Sequence, residues 1–229
     1  MVTVLLLALV FVPVVLGLGA QRRVQTAFAR YRGVANRAGV SGGEVARALL
    51  DAHGLGAVRL DLVPGMLSDR YDGTRRALGL SRDVAVERSV AAIGIAAHEV
   101  AHAYQDADGS RAYRLRQAVA APLMRLAPWS GLIFVGGFWL GAPPLVLLSL
   151  LYGAGLLVFA IVTVPVELAA SRHAMTLLER TGLADDREVE GVRRVLSAAA
   201  LTYIVGVLQR LGWFLALVFL ALAARRVSG

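Results

Sequence analysis

Three long stretches of this 229-residue chain carry no charged side chain, and they constrain its fold more than any other feature. Residues 1–21, 126–166 and 211–224 contain no Asp, Glu, Lys or Arg. A helix that crosses the hydrocarbon core of a membrane needs about 20 mainly apolar residues. The first two stretches meet that length, so the sequence predicts a mainly α-helical membrane protein.

The middle stretch, residues 126–166, is too long for one ordinary membrane helix. Pro143 and Pro144 lie near its centre, and proline disrupts a helix interior. We therefore expect a helical hairpin, with helices at about 127–142 and 145–165. The third stretch is shorter and follows Arg210 closely, so the sequence allows either three or four membrane helices.

The composition favours a membrane over a nucleic acid as partner. Hydrophobic residues make up 57% of the chain and charged residues 17%, whereas soluble domains average about 45–50% and about 25%. The net charge is +8, and in so apolar a chain this basic surplus suits a cytoplasmic membrane surface. The positive-inside rule places residue 22 onward in the cytoplasm. If residues 203–224 also cross, Arg225 and Arg226 lie outside, against that rule.

The polar stretches between these segments predict helices and one small sheet. Ser41 and Glu44 form a capping-box pattern that opens a helix ending near Gly54. Apolar and polar residues alternate over 58–62, which predicts a half-buried strand with a partner at 77–80. A long helix is predicted from Ser81 to about Asp106.

The motif His98-Glu99-Val100-Ala101-His102 lies inside that predicted helix. Two histidines four residues apart stand on one helical face and can bind one Zn²⁺, while the glutamate between them can act as general base. A shuffled chain of this composition would contain roughly 0.002 such motifs, so chance is a poor explanation. The sequence therefore predicts a zinc-dependent hydrolase.

A catalytic zinc site needs a third protein ligand, and the chain contains no cysteine. His53, His173 and the carboxylates are the candidates, and Glu167 is favoured because it ends the uncharged hairpin. A carboxylate there is costly unless it is paired or binds a metal. His173 is also a candidate for stabilising the transition state. Tyr203 and Arg172 are further candidates for that role.

Six stretches of the chain match a known family: 42–47, 63–72, 91–103, 165–167, 170–172 and 195–203. They resemble the YugP-like family of bacterial membrane zinc metallopeptidases. The resemblance implies a zinc-dependent, multi-pass membrane protein with His98 and His102 as ligands and Glu99 as catalytic base. The wider gluzincin group takes its third ligand from a glutamate on a later helix, which implies Glu167. That group often has an aspartate four residues later, where this chain has Ser171.

Together these observations predict five segments. A transmembrane anchor (1–20) precedes a cytoplasmic metalloprotease part (21–125), a transmembrane hairpin (126–166), cytoplasmic helices (167–200) and a membrane or interfacial helix (201–229). We expect a zincin-like metalloprotease domain with a small β-sheet and 3–4 transmembrane helices. It would be a zinc endopeptidase of the bacterial cytoplasmic membrane, with its active site facing the cytoplasm and a peptide or membrane protein as substrate. The alternative is a non-catalytic membrane scaffold or adaptor with a structural zinc site. Whether it has a membrane-protein partner or forms a homo-oligomer stays open.

Overall fold

The computed structural model describes residues 2–227 and, within them, the side chains of residues 4 and 6–223. The described chain is mainly helical and contains one small sheet, as the sequence predicts. The side chains of Arg225 and Arg226 lie outside the described ones. The elements are α1 Val2–Arg32, α2 Gly42–Ala52, β1 Arg59–Val63, β2 Arg70–Asp72, β3 Ala77–Ser81, α3 Arg82–Val86, α4 Val90–Ala107, α5 Arg111–Trp139, α6 Pro143–Arg180 and α7 Asp186–Val227.

The chain divides into two compact units. We call the first the apolar unit; it contains Met1–Ala20, Arg114–Pro165 and Thr202–Gly229. The second, the polar unit, contains Gln21–Tyr113 and Val166–Leu201. The five-segment division stays a prediction.

Among the described residues, four helices (α1, α5, α6 and α7) are long and apolar enough to cross a membrane. The predicted hairpin is present as the end of α5 and the start of α6. Gly141 has a φ of 60° in the connecting turn, and Pro143 begins α6, where a missing N–H costs no helical hydrogen bond. The sequence leaves open whether a fourth helix, at residues 203–224, crosses the membrane. In the structure these residues are part of the continuous helix α7, which is also a candidate membrane span.

Within the apolar unit, α1 and α7 approach closely at Pro13 and Gly212. Proline has no N–H to donate to the carbonyl of Leu9, one turn earlier. A Cβ atom at position 212 would come within 2.1 Å of that carbonyl oxygen, so only glycine fits there. The amide of Gln209 donates to the carbonyl of Pro13 at 3.3 Å. This polar residue therefore has a packing role inside an apolar helix.

The sheet of the polar unit has the order β1-β3-β2, with β1 parallel and β2 antiparallel to the central strand β3. The predicted strands at 58–62 and 77–80 are present and paired. The predicted half-burial of β1 is wrong, because Leu60 is 36% and Leu62 68% exposed. Every residue of β3 is buried, and Tyr71 of β2 also packs against the core, so the central strand and β2 carry the sheet's contact with it.

The predicted single helix from Ser81 to Asp106 is also wrong. Ser81 ends β3, the short α3 follows, and Glu87 is extended before α4 begins at Val90. The backbone at the break pairs with an earlier segment: Asn36 N–H donates to the carbonyl of Arg88. The side chain of Ser89 then caps α4 by accepting from the N–H of Ala92.

Candidate metal centre

Helix α4 carries the two motif histidines on one face. The rings of His98 and His102 are 4.8 Å apart between centroids and meet edge-on. Gly94, one turn before His98, packs against Val192 of α7, where a Cβ atom would lie 2.9 Å from both methyl groups. The lack of a side chain at position 94 thus lets α7 approach the motif helix closely.

Glu167 lies on α6 and faces both histidines. Its Oε2 atom is 3.3 Å from Nε2 of His98 and 3.6 Å from Nε2 of His102. The side chain of Glu167 is only 2% exposed, and those of the two histidines are 13% and 8% exposed. One potential ligand atom from each residue lies within 4.8 Å of the other two. The structure thus brings together the three residues that the sequence favours as ligands.

This donor set suits zinc. Zinc in proteins takes imidazole nitrogen and carboxylate oxygen as ligands, and catalytic sites use three protein ligands. Both Nε2 atoms face the same carboxylate oxygen. The opposite ring nitrogens, Nδ1, contact other side chains, which fixes how each ring is turned.

Gln105 orients His102, a role that the sequence pattern does not predict. Its Oε1 atom lies 2.9 Å from Nδ1 of His102. It accepts a hydrogen bond from the ring when Nδ1 carries the proton. Its amide nitrogen donates to the carbonyl of Val166 at 3.1 Å. Gln105 therefore links α4 to the residue before Glu167. The sequence feature that could have predicted this contact is the spacing of Gln105 three residues after His102, which places both on the same helical face.

Ser171 contacts the other histidine. Its hydroxyl lies 3.4 Å from Nδ1 of His98, near the upper limit for a hydrogen bond. Ser171 follows Glu167 by one helical turn and is 9% exposed. This is the position where the wider gluzincin group often has aspartate, so a neutral hydroxyl here faces the histidine in place of a carboxylate.

The electrostatic field of the site favours a cation. Burial by itself lowers the pKa of His102, but its hydrogen bond with Glu167 and the charges of Glu99 and Glu167 outweigh burial. The net result is a pKa raised above the ordinary value of 6.5. A site that holds a proton on imidazole more tightly also attracts a metal cation.

Comparisons with known proteins agree with this geometry. The family model described as "Putative neutral zinc metallopeptidase" matches residues 5–222. The chain belongs to this zinc metallopeptidase family. It is 37% identical over 206 residues to "Putative membrane protease YugP" of Bacillus subtilis (strain 168), covering 90% of this chain and 92% of that relative. No solved structure matches the chain.

The chain is thus a zinc metallopeptidase of a membrane-protease type, and its family implies zinc as the metal. Glu99, the motif glutamate, is 8% exposed on α4. Its negative charge contributes to the raised pKa of His102. Its side chain is therefore buried near the candidate ligands.

The three further candidates of this peptidase lie in different surroundings. The ring of His173 packs edge-on against Tyr104 at 4.6 Å, and Tyr104 packs in turn against His53 at 5.1 Å. His53 is the C-cap residue of α2, and its Nδ1 contacts the carbonyl of Leu49. Arg172 is exposed, and Tyr203 is half-buried on α7 in the apolar unit. Transition-state roles for His173, Arg172 and Tyr203 stay predictions.

Proposed function

We propose that this chain is a membrane-anchored endopeptidase that hydrolyses peptide bonds with a zinc-activated water at the cytoplasmic membrane surface. His98, His102 and Glu167 are the zinc ligands, and Glu99 is the general base. The observation that carries the proposal is the buried cluster of these three ligand side chains within 4.8 Å of one another.

The number of ligands favours a catalytic site over a structural one. Structural zinc sites almost always use four protein ligands, whereas catalytic sites use three and leave a position for water or substrate. The cluster among the described residues contains three. This count argues against the scaffold alternative.

When bound, zinc supplies a water of lowered pKa and polarises the carbonyl of the substrate. Glu99 takes the proton from the attacking water and returns it to the leaving amine. Gln105 and Ser171 hold the histidine rings through their Nδ1 atoms. The burial of Glu99 keeps bulk water from competing for its carboxylate.

The sheet offers a place for an extended peptide. Within residues 2–227, β1 is an edge strand that pairs only with β3, so its outer backbone groups can bind a substrate strand. Leu60 and Leu62 are exposed along it. An internal stretch of a peptide or membrane protein can pair with such an edge, which supports an endopeptidase.

A glutamate substitution in the purified full-length protein tests the catalytic role. Glu99→Gln keeps the volume of the side chain but cannot accept a proton, so we expect normal zinc content and loss of peptide cleavage by at least about 100-fold. Glu179→Gln, at an exposed position on α6, is the matched control and should retain both zinc content and peptide cleavage. Unchanged cleavage by Glu99→Gln would contradict the role of Glu99 as general base, whereas zinc binding without any cleavage by the unsubstituted protein would favour the scaffold alternative.

Zinc retention tests the third ligand. We expect Glu167→Ala to release zinc during dialysis against a weak chelator, while His173→Ala keeps it. Equal retention by both variants, or loss from His173→Ala alone, would overturn the assignment of Glu167.

The proposed orientation rests on the arginines that follow the first apolar stretch. The chain has no cysteine, so a single Thr74→Cys substitution at an exposed site of the polar unit gives a specific label. We expect a membrane-impermeant maleimide to label it only after the cells are permeabilised. Labelling of intact cells would place the polar unit outside.

A further inference from the structure

A cavity of about 590 Å³, open on one side, lies among α5, α6 and α7 of the apolar unit. Most of its wall is apolar, with Trp213 and Phe214 among the aromatic residues. The polar side chains of the wall are Ser130, Ser149, Tyr152, Gln209 and Arg210.

Four of these polar residues bond to carbonyl groups of the same bundle. Ser130 and Ser149 donate to their own helices, Tyr152 donates from α6 to α5, and Gln209 donates from α7 to α1. The fifth, Arg210, differs because it carries a charge. Its guanidinium donates to the carbonyl of Gly206 at 3.2 Å, a neutral group that leaves the charge unbalanced.

No acid of the apolar unit can balance Arg210. The three segments that form this unit contain no Asp or Glu at all. Within the described part of the chain, Arg210 forms no ion pair with any carboxylate. A charged residue within a membrane span is costly, and such residues usually face a cavity or a partner and mark a functional site.

The position of Arg210 along α7 limits where its counter-ion can come from. The nearest charged residues in the sequence of α7 are Arg194 and Arg225, about 24 Å and about 22 Å away along a helix. Half of the hydrocarbon core measures about 15 Å. Lipid phosphates lie outside that core, so an anion at this depth has to be carried by a segment that itself crosses the membrane.

We propose that this cavity binds a transmembrane helix of another protein through a carboxylate within that helix's apolar span, paired with Arg210. The same segments of a second copy lack acidic residues, so a second copy cannot supply the carboxylate in this way. The wall also contains Gly131, and no atom outside its own turn of helix lies within 4 Å of where its Cβ would be. Small residues let a second helix backbone approach closely.

Trp213 gives a direct readout of binding. The chain has three tryptophans, so Trp129→Phe and Trp139→Phe leave only Trp213 in the cavity wall. The probe is a polyleucine transmembrane peptide with one central Glu and a neighbouring brominated phenylalanine, which quenches tryptophan fluorescence. The comparison peptide has Gln in place of Glu. Both are titrated against the full-length protein in phosphatidylcholine vesicles at pH 8.

We expect the Glu peptide to bind about fivefold or more tightly than the Gln peptide. Arg210→Gln should remove this preference, while equal binding of the Gln peptide to both proteins shows that the variant is folded. Arg125→Gln, at an exposed arginine of α5 outside the cavity wall, is the matched control and should keep the preference.

Three results would overturn the proposal. One is equal binding of the two peptides to the protein with Arg210. Another is a preference for the Glu peptide that survives in Arg210→Gln. The third is loss of the preference when phosphatidylglycerol replaces phosphatidylcholine, because that would assign the cavity to an anionic lipid.

Discussion

Gln105 bridges the two helices of the metal centre: its Oε1 atom lies 2.9 Å from Nδ1 of His102, and its amide donates to the carbonyl of Val166. Val166 directly precedes Glu167, so one side chain fixes both a candidate ligand ring and the backbone beside another candidate ligand. Replacing a residue that hydrogen-bonds to a metal ligand typically lowers metal affinity by about 10- to 100-fold.

Gln105→Leu should therefore weaken zinc binding by about 10- to 100-fold, because it removes both hydrogen bonds while keeping a similar volume. Competition with a fluorescent zinc chelator measures the affinity. Gln25→Leu, at an exposed position on α1, serves as control and should bind zinc normally. An affinity unchanged in Gln105→Leu would mean that the His102 ring is held by other contacts.

Ser171→Ala should have a smaller effect than Gln105→Leu. The contact of the Ser171 hydroxyl with Nδ1 of His98 is 3.4 Å long, and a neutral hydrogen bond this long is weak. We expect zinc affinity to fall by less than about fivefold in the same competition assay. A loss larger than that of Gln105→Leu would reverse the order of the two partners.

Zinc binding should weaken as the pH falls from 8 to 6. A proton and zinc compete for the imidazole of His102, and the pKa of His102 is raised above 6.5 by Glu167 and Glu99 despite burial. Protonation therefore begins at a higher pH than for an ordinary histidine, and affinity is highest above the raised pKa. Isothermal titration with zinc at several pH values tests this; an affinity constant over the range would contradict it.

Gly42→Ala should destabilise the polar unit, because a Cβ atom there would come 2.3 Å from the carbonyl oxygen of Val84. Backbone has to shift to relieve this overlap, and overpacking of this kind costs about 1–3 kcal/mol. Thermal unfolding followed by near-ultraviolet circular dichroism should show a lower midpoint. Gly33→Ala, whose Cβ atom would lie at an ordinary 3.5 Å from its nearest neighbour, should unfold near the original temperature.

Local chemistry fixed the features that the sequence predicted correctly. The spacing of His98 and His102 places both rings on one face of any α-helix, and the Ser41–Glu44 capping box forms from four consecutive residues. The uncharged runs require membrane-length helices wherever they pack. These patterns need no knowledge of distant contacts.

Distant contacts decided what the sequence missed or left open. The helix predicted from Ser81 breaks because Asn36 and its neighbours bond the backbone around Arg88. β1 is exposed because the core packs against β3 and against Tyr71 of β2, and not against the residues of β1. The sequence named Glu167 among several candidates, but folding α6 against α4 brings it to His98 across 69 positions. The contacts of Gln105 and Ser171 arise from that same packing. Composition and periodicity thus determined the long apolar helices and the shared face of His98 and His102. Tertiary packing determined where the helix before the motif breaks and which side chains surround the metal centre.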